Sequence, residues 1–263
     1  MDEKIFKRLK SDYEYLEALG YEVFGVYLQG SQNYHLNYED SDIDTKAIIL
    51  PSFQDVVLNH KPISTTIILE TNEHIDVKDI RLMFVNFKKQ NINFLEILFT
   101  EYNYLNAKYA PWHKVLAANA ESIAHYNNHL AVKCIVGMAK EKHKAMEHPY
   151  PTLLSKIKKY GYDPKQLHHI LRCEEFLKRY INNEPYSDCL IPRNPEYLIK
   201  VKRCPPLYTL KEARNLAAEA IHEMEKIEKF YLETNSMNID EKVDVVLNDV
   251  ITNCLQIYWG IKK

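Results

Sequence analysis

The sequence predicts an α/β fold joined to an all-α one: a small mixed-sheet domain over residues 1–108, followed by a helical domain over 109–263. Three observations carry this. Up to about residue 108, short apolar runs are separated by turns marked by Gly, Pro and Asn, the pattern of strands. From Pro111 onward nearly every segment repeats its apolar residues at spacings of three and four, the pattern of helices. The chain has 263 residues and 46 % apolar content, enough for two modest domains with real cores.

Taken in order, residues 3–19 place Ile5, Leu9, Tyr13, Leu16 and Leu19 at helical spacing, with Gly20 as the stop. Residues 23–28 read as a buried strand ending at Gly30. After a polar stretch over 31–41, residues 43–50 form a second strand closed by Pro51. Residues 65–69 and 74–77 read as two more strands, joined by a turn at Thr71-Asn72-Glu73. Asp79 caps a helix running to about residue 89, and a short helix follows over 94–99. Beyond the change near Tyr109, helices are expected over 112–126, 130–146, 164–181, 209–232 and 241–259. Residues 184–206 hold five of the eleven prolines and read as irregular.

Bulk properties narrow the function. A formal net charge of -2 gives no global basic field for nucleic acid, although a local basic face remains open. The charged start, MDEKIFKRLK, lacks the apolar core of a signal peptide. No apolar run approaches the roughly 20 residues of a membrane helix. Five scattered cysteines without a Cys-x-x-Cys pair point to free thiols in a reducing cytoplasm, not to zinc or disulfides. Among only six glycines there is no Walker sequence and no G-x-G-x-x-G.

The chemistry concentrates in Gly30-Ser31-Gln32-Asn33-Tyr34 and Ser41-Asp42-Ile43-Asp44-Thr45-Lys46. Alternation along a strand turns Asp42, Asp44 and Lys46 to one face and Ile43, Thr45 and Ala47 to the other. Two carboxylates on one face repel unless a hard divalent cation compensates, and oxygen ligands suit Mg2+ or Mn2+. Lys46, on the same face, is placed to meet a phosphate. Gly30 permits a sharp turn, and Ser31 supplies a hydroxyl and a backbone N–H at the start of a short helix, a favourable place for an anion.

This pattern, an apolar strand, Gly-Ser, a spacer of about ten residues and Asp-apolar-Asp on a second strand, resembles the signature of the polymerase-β-like nucleotidyltransferase superfamily. The run GSQNY…SDIDTKA is similar, more closely, to a family of bacterial and phage predicted nucleotidyltransferases. The resemblance extends through 79–98, and in short patches through Tyr160-Gly161-Tyr162-Asp163-Pro164-Lys165 to His169 and Arg172. It implies two-metal transfer of a nucleoside monophosphate from a nucleoside triphosphate, ATP among the candidates, to an acceptor hydroxyl or phosphate. It does not supply the acceptor: an RNA end, a protein, a small molecule or a second nucleotide all fit.

The superfamily uses a third carboxylate from a later strand. Asp76, with apolar neighbours on both sides, suits a strand residue displayed in a cleft, whereas Asp79 sits where a helix cap belongs; Asp76 is favoured. The expected catalytic and metal set is therefore Asp42, Asp44 and Asp76. Glu96, an acid in an apolar run, reads as a buried structural partner of a basic group. In the helical half, Asp163 and Pro164 start a helix that carries Lys165, His168, His169 and Arg172 on neighbouring parts of one face. Lys165 and Arg172, with Gly30, Ser31 and Lys46, are the expected nucleotide-binding residues. The competing readings are a metal-dependent nuclease or phosphatase, in which Gly-Ser has no necessary role, and a non-catalytic nucleotide-binding or regulatory module.

Overall fold

In the computed structural model, which describes residues 2–38, 41–70 and 73–261, the fold is mixed α/β. Helix Asp2–Ala18 buries Ile5, Leu9, Tyr13 and Leu16, and Gly20, at φ +86°, allows the chain to reverse. Strand β1 (Glu22–Leu28) pairs antiparallel with β2 (Thr45–Leu50), setting Leu28 opposite Thr45. β3 (Ser64–Ile68) and β4 (His74–Asp79) pair antiparallel, as expected, although Thr71 and Asn72 of the turn between them lie outside the described residues. β4 runs parallel to β2, with Lys46 opposite Asp76. A short strand not anticipated from the sequence, β5 (Asn103–Leu105), adds to the other side of β1 and completes the order β3-β4-β2-β1-β5.

β1 and β2 are covered on both faces, which is why their sequences read as nearly unbroken apolar runs. One face packs Val26, Leu28, Ala47, Ile49, Ile75 and Val77 against the first helix. A buried polar cluster locks that contact: the Thr45 hydroxyl donates to Asp12 at 2.6 Å, and Arg8 bridges Asp12 and Glu73. Burial pushes the Asp12 carboxyl up, against the hydrogen bonds from Arg8 and Thr45. The opposite face carries Tyr27, Lys46, Ile48 and Asp76 by alternation. Helices Ile80–Lys88 and Glu241–Trp259 pack over β2 there.

The chain divides into two compact units, but not at residue 108. One comprises Met1–Asn33, Asp40–Tyr126 and Ile239–Lys263; the other comprises Tyr34–Glu39 and Asn127–Asn238. The change of periodicity near Tyr109 marks where strands end, not where the sheet's core ends. Helix Ala110–Ala118 still belongs to that core, with the His113 ring 4.0 Å from that of Phe24. The C-terminal helix returns to it as well: Asp244 accepts hydrogen bonds from Lys88 (2.9 Å) and Tyr126 (3.0 Å), and Trp259 donates to the Pro51 carbonyl at 3.2 Å. The expected helix over 112–126 is two helices, Ala110–Ala118 and Ala120–Ala124, meeting at Asn119.

In the second unit, Asn128–Met146, Pro164–Tyr180 and Leu210–Thr234 pack on one another. The proline-rich stretch read as irregular contains two helices, Tyr186–Leu190 and Pro195–Lys202. Pro195 opens the second of these under an Asn194 cap, the one helical place where a missing N–H costs nothing. All five cysteines are free. Among the described residues no helix is long and apolar enough to cross a membrane.

Candidate functional site

The antiparallel pairing of β1 and β2 brings the end of one beside the start of the other. The Gln29 N–H donates to the Asp44 carbonyl at 3.1 Å, and the Gln29 side chain to the Thr45 carbonyl at 3.2 Å. Two sequence patches more than ten residues apart thus become neighbours at one end of the sheet. Gly30 follows at φ +80° and opens a 3-10 turn, Gly30–Tyr34. A Cβ on Gly30 would meet nothing within 4 Å, so glycine is required here by the backbone, not by crowding. The Gly30 N–H donates to the buried Glu96 carboxylate at 3.0 Å, so this amide is not open to a phosphate, and the expected anion contact falls to Ser31 alone. Asn33 clamps the turn from the other end, donating to the Leu28 carbonyl at 2.8 Å and accepting from the Thr100 hydroxyl at 2.7 Å.

Asp42 and Asp44 lie in the lead-in to β2, which starts two residues later than the sequence suggested. Between them Ile43 is 3 % exposed and belongs to the core under the first helix, and its N–H donates to Glu73 at 3.3 Å. An anchored Ile43 turns the carboxylates on either side away from that core. Asp42 is exposed and makes no ion pair among the described residues. Asp44 is half-buried; it accepts the His74 N–H at 3.3 Å and stands 3.4 Å from the His74 imidazole.

Asp76 is differently placed. Its carboxylate lies 2.5 Å from the Lys46 ammonium and 2.7 Å from that of Lys78. Burial alone would raise its pKa, but the two lysines outweigh burial and hold it below the usual aspartate range. Lys46 is 2 % exposed and lies over the Phe94 ring at 4.5 Å, so its charge is committed to Asp76 and is not presented to a phosphate. Lys78 escaped the sequence reading because the strand was ended at Val77; the same alternation that pairs Asp76 with Lys46 would have put Lys78 on that face. Asp79 is a cap: it accepts the Arg81 N–H at 2.9 Å and pairs with the Arg81 guanidinium at 2.6 Å.

No three or more His, Cys, Asp and Glu side chains among the described residues are gathered closely enough to hold a metal ion, so Asp42, Asp44 and Asp76 do not form a ready three-carboxylate set. Asp42 and Asp44 by themselves fit a hard cation of the Mg2+ type. That ion is commonly held by one or two carboxylates together with substrate phosphates, and these two are accessible and pair with no lysine among the described residues.

The remaining expected residues belong to the helical unit. Lys165 is exposed in the first turn of Pro164–Tyr180, below the Asp163 cap. The Arg172 guanidinium stacks 3.5 Å from the ring of Tyr34, which lies in the spacer between the two motif halves and packs with this unit. His168 does not share an open face with them: it is 2 % exposed, bonds the Leu198 carbonyl at 2.8 Å, and is driven by burial down to a pKa of about 3. Burial, with Lys165 and Arg203 nearby, also lowers Lys202, to about 8.

Comparison with protein-family models gave no match, and comparison with curated proteins gave none either.

Proposed function

We propose that the sheet unit is the catalytic part of a metal-dependent nucleotidyltransferase, moving a nucleoside monophosphate from a nucleoside triphosphate to an acceptor hydroxyl or phosphate. The observation that carries this reading is the Gln29–Asp44 hydrogen bond, which sets the Gly30-Ser31 turn beside Asp42 and Asp44. The motif's resemblance to the polymerase-β-like superfamily points the same way. Asp42 and Asp44 would hold Mg2+ or Mn2+, which when bound neutralises charge on the reacting phosphate. Ser31 would offer its hydroxyl and N–H to a phosphate oxygen. The open space over Gly30 leaves room for such a group. Asp76 would hold the acceptor's proton or a second metal only after release from Lys46 and Lys78. Lys165 and Arg172 are proposed as phosphate-binding cations.

One observation favours the alternative of a non-catalytic nucleotide-binding module, namely the neutralisation of Asp76 by two lysines. The deciding experiment incubates the full chain with each α-labelled nucleoside triphosphate, Mg2+ or Mn2+, and pooled RNA, protein and metabolites. Label should enter one fraction, and Asp42→Asn and Asp44→Asn should abolish it by orders of magnitude while the protein stays folded. Metal-dependent nucleotide binding without transfer would establish the module instead.

A further inference from the structure

A cavity of about 100 Å³ lies on the same sheet face as Lys46 and Asp76, between β1, β2, β5 and helix Ala110–Ala118. Its walls are apolar, supplied by Ile48, Phe87, Ile97 and Leu116 among others. Its polar groups are Tyr27, His113, Asn103 and Thr100, and no Asp, Glu, Lys or Arg lines it. Leu105 and Ala117, both exposed, stand at its rim and leave a way in.

Thr100 is satisfied by Asn33 and by the Tyr102 N–H, but the other three polar groups in this cavity make only marginal bonds. The Tyr27 hydroxyl and the His113 Nδ1 are 3.5 Å apart, at the outer limit of a hydrogen bond, although Tyr27 is 7 % and His113 8 % exposed. The other His113 nitrogen, Nε2, makes no well-formed hydrogen bond among the described residues, although the backbone carbonyls of Phe24 and Asn106 lie close enough to the ring to act on its pKa. The Asn103 side chain donates to the Thr100 carbonyl, also at 3.5 Å. Buried polar groups with only marginal bonds call for an occupant that completes them. His113 is neutral at ordinary pH, since burial lowers its pKa to about 4. The Tyr27 ring lies back over Gly25, where a Cβ would come within 3.1 Å of its hydroxyl, so the residue type at 25 keeps this polar end in place.

We propose that this cavity is a binding site for a small neutral molecule of one ring bearing a hydroxyl, which completes the hydrogen bonding of Tyr27 and His113 and fills the apolar part. At about 100 Å³ the cavity is about two-thirds of the roughly 150 Å³ of a dry apolar cavity that binds benzene, so a single ring reaches out to the open rim at Leu105 and Ala117 and nothing larger fits. The site also bears on the turn described above. The lining residues Ile97, Leu98 and Thr100 lie in the segment that starts at Glu96, which holds the Gly30 N–H, and ends at Thr100, which holds Asn33. An occupant therefore presses on the segment that fixes both ends of the Gly30–Tyr34 turn.

Phenol is the probe, titrated into isotope-labelled full-length protein without metal or nucleotide, so the outcome is independent of whether transfer occurs. Saturable binding with a dissociation constant at or below about 1 mM is expected for a seven-atom ligand in a fitted site. Amide shifts should centre on Thr100, His113 and Ala117 and reach Gly30 and Ser31. Benzoate, of similar size but charged, should bind at least about tenfold more weakly, because burying an unpaired anion is costly. His113→Phe should weaken phenol about fivefold, the scale of one neutral hydrogen bond, without weakening toluene. Ala117→Leu, at the exposed rim, tests the location even if the His113 variant fails to fold, and should cut phenol binding at least about tenfold by obstructing entry and volume. The proposal is overturned by the absence of saturable shifts up to the solubility of phenol, which would mean a cavity holding water only. Equal affinity for benzoate, or phenol binding that Ala117→Leu leaves unchanged, would also overturn it.

Discussion

Replacing Asp76 by Asn should destabilise the chain, in contrast to the same change at Asp42 or Asp44. Asp76→Asn removes the carboxylate that compensates Lys46, whose side chain is only 3 % exposed, and Lys78, at 11 %. Breaking a buried pair so that one charge is orphaned costs about 3–5 kcal/mol. Lys46 keeps the Phe94 ring, worth about 1 kcal/mol, and Lys78 keeps the Ser64 hydroxyl at 2.8 Å near solvent and adds little. The net loss is about 2–4 kcal/mol. For a chain of this size each kcal/mol moves the melting temperature by about 2–4 °C, so a fall of about 4–16 °C is expected. Lys46→Met, which keeps the aliphatic stem and leaves Lys78 on Asp76, should cost less. The double variant should recover much of the loss, because it leaves no orphaned charge at position 46. Circular-dichroism melts of the wild type, both single variants and the double variant form the required cycle. A single Asp76→Asn variant melting within about 2 °C of wild type, or a double variant equal to the sum of the singles, would refute the idea that this ion pair is buried and coupled.

Asp42→Asn should leave stability within about 0.5 kcal/mol of wild type, read from urea midpoints, because that carboxylate is exposed and makes no ion pair among the described residues. Gly30→Ala should cost about 1–2 kcal/mol purely through its left-handed φ of +80°, with no clash, so a melt drop much larger than about 8 °C would contradict the open space there. His113 and His168 are held neutral, with pKa values lowered from 6.5 to about 4 and about 3. The unfolded chain takes up protons on both near pH 6.5, so their contribution is complete above that pH and is lost progressively as pH falls toward 4. A urea midpoint that stays flat between about pH 7 and pH 5 would show that the buried histidines do not titrate in this way. Asp79→Ala, by removing both the cap and the Arg81 pair, should lower stability by about 1–2 kcal/mol, and Asp79→Asn by less.

Much of this fold is legible in the sequence because local chemistry and tertiary structure agree. Asp79 and Asp163 each cap the helix that their position suggests, and the C-terminal helix is the expected Glu241–Trp259. The adjacency of the Gly30 turn and Asp44 is implied by two apolar strands and a short connection. What escaped was set by distant partners. That Glu96 takes the Gly30 amide cannot be read from residues 66 positions apart. That Lys46 serves Asp76 and not a phosphate depends on β2 and β4 running in parallel register, which periodicity alone does not reveal. β5 was missed because three residues are too few to show alternation, and it is an edge strand held mostly by backbone bonds to β1.

The division of the chain has a consequence for its synthesis. All five strands have been made by residue 105, yet the sheet's second face also needs the helix Glu241–Trp259, which is joined to it through Asp244 and Trp259. The intervening helical unit must first be translated. At about 5–20 residues per second, the sheet waits about 7–30 s with that face covered only in part, by Ile80–Lys88 and Ala110–Ala118. The nascent protein is most exposed to aggregation and to chaperones in that interval, and a stop codon anywhere in the last helix would leave the first unit, not the most recently made one, incomplete.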